Sequence, residues 1–326
     1  MTKRTRYFMA GSAAVVVAGL GVGLAAYFSG GFPSVSAAPG REELAFVPVD
    51  ATVVAYADVR GIMDSELRQR LKQAMPIHEQ GRQEFQEHTG IDIERDIDYV
   101  VAAMTPGAEI GKSGFVVARG RFDDVRLEGL AREHGAQLQD YRGKRLLVLD
   151  VATHDQAHTG VLAFLEPGLV AIGDLAAVQR AIDARMTAQS VTTNNEMMDL
   201  VNDIERTNNA WAVGRFDVLV SQANLPDQVA RQIPAVKWFA AAGHINGGLA
   251  GTLRAEARDE QAAENLRDVV RGFLALARMQ TQNDPKLTAL TQSLELTGTG
   301  KTVALSFTLP AELLELMAPK GALQAH

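Results

Sequence analysis

Apolar and polar residues alternate with a period of two on both sides of residues 298–300, which is typical of half-buried β-strands, and continuous apolar runs elsewhere are typical of buried ones. In other segments apolar residues recur every three or four positions, as in helices that pack by one face. Short runs rich in apolar and β-branched residues predict strands at 52–59, 99–104, 114–122, 144–150, 160–166 and 168–173, within 208–222, at 238–245 and at the start of 247–278, and strict alternation predicts a closing hairpin at 293–317. The helical segments are 61–75, the stretch after Asp123, 174–186, 196–206 and 259–279.

The order of these segments recurs in the second half of the chain. Segment 208–222 is similar in pattern to 51–65, and each half gives strand–helix, strand, strand–helix and then a hairpin. The sequence therefore predicts an α+β fold in which a unit of antiparallel sheet, with helices packed on one face, is duplicated. The first repeat would span 46–207 and the second 208–317, and a single unrepeated α+β domain is the alternative.

The N-terminal region has a charge pattern of its own. Residues 1–7 carry three basic side chains, and the uncharged run 8–28, "FMAGSAAVVVAGLGVGLAAYF", is long enough to cross the hydrocarbon core of a bilayer. This pattern predicts a cytoplasmic basic tail at 1–7, a transmembrane anchor at 8–28 and a small, polar linker at 29–45. Residues 318–326 would form a C-terminal tail.

The basic flank sets the expected orientation, because positive residues stay on the cytoplasmic side. We therefore expect a single-pass protein of the inner (cytoplasmic) membrane whose C-terminal domain lies outside the cytoplasm. The alternative is a signal peptide that is cleaved near Ala37, where small residues precede the cut and release a secreted or periplasmic domain. The bilayer, contacted through 8–28, is the first predicted partner, and another envelope protein is the second.

The amino-acid composition excludes several kinds of chemistry and one class of partner. The chain of 326 residues contains no cysteine, which excludes disulfides, thiolate catalysis, acylation at a cysteine and Cys-based zinc sites. The formal net charge is -7, and no basic stripe with interleaved aromatic residues is present. Nucleic acid is therefore not an expected partner.

Residues 298–302, Gly-Thr-Gly-Lys-Thr, are similar to the end of a phosphate-binding P-loop. The first glycine of that motif would fall on Glu295, whose carboxylate would repel phosphate. A P-loop also leads into a helix, whereas Thr302 is followed by strict alternation. The sequence predicts a β-hairpin turn and no nucleotide. The apolar residues on one face of the following strand would be Val303, Leu305, Phe307 and Leu309.

Two short polar segments are candidates for metal binding. His154 and His158 read H-D-x-x-H, but the zinc-protease motif needs glutamate where Asp155 stands, and a surface loop is the favoured interpretation. Segment 92–98, "DIERDID", has the carboxylates of a weak calcium site, but it lacks the glycine and terminal glutamate of an EF-hand loop. We interpret it as the solvated start of a strand. The sequence thus assigns no catalytic, cofactor-binding or metal-binding residue, and no cofactor.

Four further features are interpreted as parts of the fold rather than as binding sites. Arg119 and Arg121 are expected to face water rather than an anion, and His134 to end a helix, where a cation is favoured. His244 lies in an apolar run and is expected in the core. The apolar stripe of the helix at 259–279 is expected to pack on the sheet rather than on lipid, because the polar face carries both signs of charge.

Segments 45–60, 114–123 and 160–174 resemble those of uncharacterised exported bacterial proteins that carry a domain of unknown function. The resemblance covers most of 45–317, implies a location in the cell envelope and supplies no catalytic residue. The function expected from the sequence is that of a non-enzymatic binding or structural module of the envelope. The alternatives are an envelope hydrolase or metal-dependent enzyme, its site gathering residues such as Asp150 and His154, and a module that binds lipid or another hydrophobe between sheet and helices.

Overall fold

The computed structural model describes residues 40–74, 86, 91–106, 114–152, 157–204, 208–218, 236–281 and 285–311. The strands among these residues form one antiparallel sheet of twelve strands. The strands are β1 Val53–Asp58, β2 Ile97–Met104, β3 Gly114–Gly120, β4 Gln137–Tyr141, β5 Lys144–Ala152, β6 Ala157–Glu166, β7 Leu169–Asp174, β8 Ala210–Arg215, β9 Val236–Ile245, β10 Gly248–Ala257, β11 Glu295–Thr297 and β12 Thr302–Pro310.

The helices start where the sequence supplies caps. The side chains of Asp58, Asp92, Asp123 and Asp174 each accept a hydrogen bond from a backbone N–H in the first turn of the helix that follows. The α-helices are α1 Val59–Met63, α2 Glu66–Ala74, α3 Ile93–Asp96, α4 Asp124–Glu133, α5 Leu175–Thr187, α6 Asn195–Ile204, α7 Glu260–Thr281 and α8 Pro285–Gln292, and short 3-10 helices occupy Glu43–Phe46 and Val191–Thr193.

The order of the strands across the sheet is β11-β12-β10-β9-β8-β1-β2-β3-β7-β6-β5-β4. Near the middle of the sheet the first strands of the two halves, β1 and β8, pair with each other and place Tyr56 opposite Trp211. Outward from β1 come β2, β3 and the hairpin β6–β7, and outward from β8 come β9, β10 and the hairpin β11–β12. Since β1 and β8 pair with each other, neither presents an open edge to solvent.

Helices cover both faces of the sheet. On face A, defined as the side of Tyr56, helices α5 and α6 and both 3-10 helices enclose the largest apolar cluster. On face B, defined as the side of Ala118, α4 inserts Leu127 against the sheet, and α2 packs Leu67 near Leu249. Helix α7 also packs on face B, where Ala263 contacts Val303.

The predicted fold class is therefore wrong about how the sheets and helices are arranged. The sequence predicted separate antiparallel units with helices on one face, whereas one continuous sheet carries helices on both faces. Local periodicity identifies strands, but it does not show that the first strands of the two halves pair. The fold class also included an N-terminal transmembrane helix. None of the helices in the described ranges is long and apolar enough to span a membrane, and residues 8–28 lie outside those ranges.

Candidate functional site

The glycine-rich segment 298–302 is a hairpin turn, as predicted. It joins β11 to β12, and both glycines adopt left-handed backbone angles, with φ of 97° at Gly298 and 57° at Gly300. The N–H of Thr302 donates to the carbonyl of Thr299 at 3.0 Å and closes the turn. The loop leads into a strand instead of a helix N-terminus, so it lacks the anion-binding geometry of a P-loop.

The histidines do not converge in the described part of the chain. His154 and Asp155 of the H-D-x-x-H segment lie outside the described residues. Asp150 and His158 lie on the paired strands β5 and β6, and only their backbone is described. Within the described ranges, no group of three or more His, Cys, Asp or Glu residues is arranged to hold a metal.

Two histidine predictions have definite outcomes. His134 is the C-cap of α4, and its Nδ1 lies 2.8 Å from the carbonyl oxygen of Leu130, which confirms its place at a helix end. His244 is exposed on β9, so the prediction of a core position is wrong. The side chain of His244 projects from face A, opposite Ala250 of β10, where the sheet carries small and polar residues.

The acidic segment 92–98 pairs with arginines. Asp92 caps α3, and Asp96 accepts a hydrogen bond from the N–H of Asp92 at 2.8 Å. Glu94 lies 3.0 Å from Arg68, and Asp98 lies 2.8 Å from Arg60. Glu94 and Asp98 thus pair with arginines of α2 and α1 at the start of β2, and together with Asp92 they are only 15–22% exposed, so the segment leads into a strand as predicted but is not solvated.

A buried carboxylate is the most unusual charged group of the described residues. Glu43, in the first 3-10 helix, is 1% exposed. Its Oε1 accepts hydrogen bonds from Arg119 Nε (2.9 Å), Arg119 Nη2 (2.6 Å) and Tyr99 Oη (3.1 Å). The sequence predicted that Arg119 faces water, and this prediction is wrong because Arg119 binds Glu43. We call this set of Glu43, Arg119 and Tyr99 the Glu43 clamp.

Two polar atoms near the clamp lack a hydrogen-bond partner in the structure, namely Glu43 Oε2 and the hydroxyl of Tyr56. Burial, with nearby carboxylates, raises the pKa of Tyr56 well above its ordinary value, and burial next to Glu43 raises the pKa of Tyr99 to about 12. Both phenols therefore stay protonated across the physiological range. The ring of Tyr56 stacks on Trp211 with centroids 5.6 Å apart.

The clamp fixes residues 40–46, which the sequence assigned largely to the linker, on face A of the sheet. Gly40 has a φ of 93°, and a Cβ at this position would lie 2.9 Å from the ring of Tyr56. Arg41 Nη2 donates to Asn202 Oδ1 of α6 at 2.7 Å. The sequence does not reveal this role of Glu43, because its partner lies 76 positions away.

The second distinctive feature is an open cavity of about 400 Å³ between α7 and β11, which we call the α7–β11 groove. One wall is the polar side of α7, and the other is the segment that leads through β11 into the hairpin turn. Among the residues that line the groove are Arg267, Arg271, Leu274, Arg278, Leu294 and Leu296.

The arginines of the groove differ in their contacts. Arg267 Nη2 donates to the carbonyls of Gly300 (2.7 Å) and Thr302 (2.9 Å) and so holds the hairpin against α7. Arg271 pairs within the helix with Glu264 and Asp268, each at 2.9 Å. The guanidinium of Arg267 is thus structural, whereas the side chain of Arg271 is 56% exposed at the rim.

Strand β11 forms the outer wall of the sheet at this end. In the described part of the sheet its only strand neighbour is β12, and Glu295 and Thr297 are exposed. Leu296 is half-buried and points toward α7, where it joins the cluster around Ala263. Leu294 and Leu296 form the apolar part of the groove, and its rim carries both signs of charge, with Arg278 on α7 and Glu295 on β11. An extended chain can pair with an edge strand of this kind.

Comparisons with known proteins give no further assignment. No protein-family model matches the chain, and no curated protein or solved structure shows significant similarity to it.

Proposed function

We propose that this chain is a non-enzymatic binding module of the cell envelope, tethered to the membrane by residues 8–28, that takes an extended polypeptide into the α7–β11 groove. The observation that carries the proposal is the groove itself, where an edge strand and a long helix face each other across about 400 Å³. This volume falls within the range of about 300–1,000 Å³ that is usual for ligand sites in proteins.

The open outer edge of β11 favours a ligand in an extended conformation. The outer edge of β11 presents backbone N–H and C=O groups, which an incoming strand satisfies by adding to the sheet. Successive side chains of such a strand point to opposite faces, so alternate ones would lie over Leu294 and Leu296. The others would point to face A, on the side of the exposed Glu295 and Thr297.

The charge on the groove side of α7 favours a bound peptide that has an acidic residue close to the helix. Arg278 is exposed on the groove side of α7, whereas Arg271 is already compensated by Glu264 and Asp268. Arg278 Nη2 makes a long contact of 3.5 Å to the carbonyl of Leu294. A carboxylate of the bound peptide would offer this guanidinium a charged acceptor, and such charge-assisted bonds are about twice as strong as neutral ones.

Site-specific photo-crosslinking in intact cells tests the proposal. A photo-reactive side chain at Thr297, on β11, should yield a covalent adduct with another protein. The control is Val125, which is 83% exposed on α4 and lines neither this groove nor the cavity beside β4. Arg278→Glu should reduce the adduct at Thr297. No adduct at Thr297, or equal adducts at Thr297 and Val125, would contradict strand addition at β11.

The tether is tested separately. Intact-mass measurement of the purified chain should find residues 8–28 retained, and an added protease should digest the domain only from the outer side of the membrane. A mature chain that begins at Ala38 would contradict the tether and leave the groove proposal untouched.

A further inference from the structure

Strand β4 forms the second open edge of the sheet, at the end opposite β11. In the described part of the sheet, its only strand neighbour is β5. Leu138 of β4 points to face B, because it lies opposite Leu147 of the apolar cluster there, and it is 44% exposed. This edge therefore offers another strand both open backbone groups and an apolar side chain.

The open backbone groups of β4 belong to Leu138 and Asp140. A two-residue turn at 142–143, with positive φ at both positions, joins β4 to β5, so Tyr141 and Lys144 form the hydrogen-bonded pair that closes it. Hydrogen-bonded pairs alternate with non-hydrogen-bonded pairs along an antiparallel ladder. The odd-numbered residues of β4 therefore direct their N–H and C=O groups toward β5, and Leu138 and Asp140 direct theirs outward.

The open backbone groups of β11 belong to Leu296. The N–H of Ala257 donates to the carbonyl of Lys301 at 2.9 Å, so the odd-numbered residues of β12 bond toward β10 and the even-numbered ones toward β11. Glu295 and Thr297 lie opposite even-numbered residues of β12, and their backbone groups point into the sheet. The backbone groups of Leu296, between them, therefore point outward.

We propose that β4 of a second copy of the chain is the extended polypeptide that enters the α7–β11 groove, antiparallel to β11 and with its Leu138 opposite Leu296. The inference rests on the proposed function, because it names the partner of the same groove. Both residues of this pair have outward backbone groups, so each N–H meets a C=O. Since β4 and β11 are the two ends of twelve antiparallel strands, they run in opposite directions. The second copy therefore adds by displacement along the sheet, with its face B on the side of α7.

On face B, this register sets the partner's Leu138 over Leu296, as an apolar cross-strand pair. Two positions along, the partner's Asp140 comes beside Leu294, whose carbonyl lies 3.5 Å from Arg278 Nη2. Asp140 and Arg278 are both exposed, and neither takes part in an ion pair among the described residues. Each gains the opposite charge that its own chain does not supply, and this complementarity favours one register over others.

On face A, the same register sets the partner's Gln139 opposite Glu295 and the partner's Gln137 opposite Thr297. All four side chains are exposed in the single chain. The two glutamine amides can donate to the carboxylate of Glu295 and to the hydroxyl of Thr297. A shift by two residues in either direction separates the two leucines on face B, so the apolar and polar contacts are satisfied together in this register.

Disulfide trapping of the full chain tests the pairing, because the chain has no cysteine of its own. Chains with Thr297→Cys are mixed with tagged chains with Gln137→Cys under mild oxidation. In the proposed register these positions form a non-hydrogen-bonded pair with Cα atoms about 4.5 Å apart, which is within reach of a disulfide. The control mixes Thr297→Cys with Val125→Cys, on α4, which is 83% exposed. The first mixture should form at least about ten times more mixed disulfide than the control.

A charge exchange tests the register. Arg278→Glu in the Thr297→Cys chain, or Asp140→Lys in the Gln137→Cys chain, should each lower the mixed disulfide at least about fivefold, because like charges then meet. The two changes together should restore it. Asp140 also accepts the N–H of Gly143 at 3.2 Å, so circular dichroism should confirm that Asp140→Lys is folded. Failure of the combined changes to restore the disulfide would overturn the register.

The remaining outcomes separate the partner from the groove. A mixed disulfide no greater than the control would overturn β4 as the partner. Thr297→Cys alone should not join two copies, because the contact is head-to-tail, and a disulfide of this variant with itself at the same yield would overturn the arrangement. The photo-adduct at Thr297 should have twice the mass of the chain. An adduct with a different protein would overturn the second copy as partner and leave strand addition at β11 standing.

Discussion

Replacing Arg119 with methionine should strongly destabilise the fold. The change keeps an unbranched side chain on β3 but removes both guanidinium bonds to Glu43 Oε1, at 2.9 and 2.6 Å. Glu43 stays 1% exposed, with the hydroxyl of Tyr99 as its remaining donor in the clamp. The variant thus leaves a carboxylate buried without a cation.

The size of the effect follows from burial. Removing one partner of a fully buried ion pair costs about 3–5 kcal/mol, because the remaining charge is uncompensated. The side chain of Arg119 is 23% exposed, so water reaches part of the site and lowers the cost. We expect a loss of about 2–4 kcal/mol, which is a large share of the roughly 5–15 kcal/mol of a typical domain.

The same reasoning predicts whether the double variant is more or less stable than Arg119→Met alone. Glu43→Gln alone should cost about 1–2 kcal/mol, since a neutral amide still accepts hydrogen bonds in the same place. Combined with Arg119→Met, Glu43→Gln removes the buried charge, so the double variant should be more stable than Arg119→Met alone. Independent contributions would instead add.

Denaturant unfolding followed by tryptophan fluorescence measures these changes. Both tryptophans of the chain, Trp211 and Trp238, are 5% exposed, and Trp211 lies beside the clamp. Arg121→Met is the control, because Arg121 is exposed and should change stability by less than about 0.5 kcal/mol. If Arg119→Met costs no more than Arg121→Met, or if the double variant is the least stable of the set, the clamp does not hold the fold as argued.

Three further predictions concern the hairpin and the buried phenols. Phe307→Ala should cost about 2–3 kcal/mol, less than at a fully buried site, and Ser306→Ala about 0.5–1.5 kcal/mol for its lost hydroxyl bond; equal losses in urea unfolding would contradict the strand register. Burial raises the pKa of Tyr99 to about 12. The protonated Tyr99 side chain therefore stabilises the fold fully below about pH 10, and this stabilisation is lost as the pH rises through 12. Ultraviolet titration should show Tyr99 and Tyr56 ionising last, and Tyr99→Phe should flatten the alkaline loss of stability. Lys301→Ala should leave the melting temperature unchanged, and ATP should not raise that of either protein; a shift in the wild type alone would contradict the turn assignment.

The local parts of the fold could be predicted because local chemistry determines them. Asp123 and Asp174 cap the helices that the sequence placed after them, and Gly298 and Gly300 make the turn that was expected. Strand β4 was missed because it is an exposed edge whose residues are mostly polar. A strand without a buried face leaves little hydrophobic alternation to detect.

The nonlocal parts could not be predicted from periodicity. The pairing of β1 with β8 joins segments about 150 residues apart, and the Glu43 clamp joins residues from the 3-10 helix and β3. The stripe on α7 shows the same limit in another form. Its apolar spacing predicted packing on the sheet, but the sheet covers Leu274 and leaves Val269 and Phe273 half-exposed. Periodicity gives the direction of an apolar face, but not how much of it a neighbour covers.

The clamp also determines where a membrane tether would attach. Residues 40–46 lie on face A, whereas α7 lies on face B of the same sheet. A tether through 29–39 spans at most roughly 38 Å when fully extended, so the clamp would keep face A near the bilayer. A peptide in the α7–β11 groove would then reach α7 from the opposite face. Leu44 and Phe46 are 1% and 2% exposed in the cluster on face A, so this anchor should persist in Arg119→Met, and the variant should lose stability without changing the distance of the domain from the membrane.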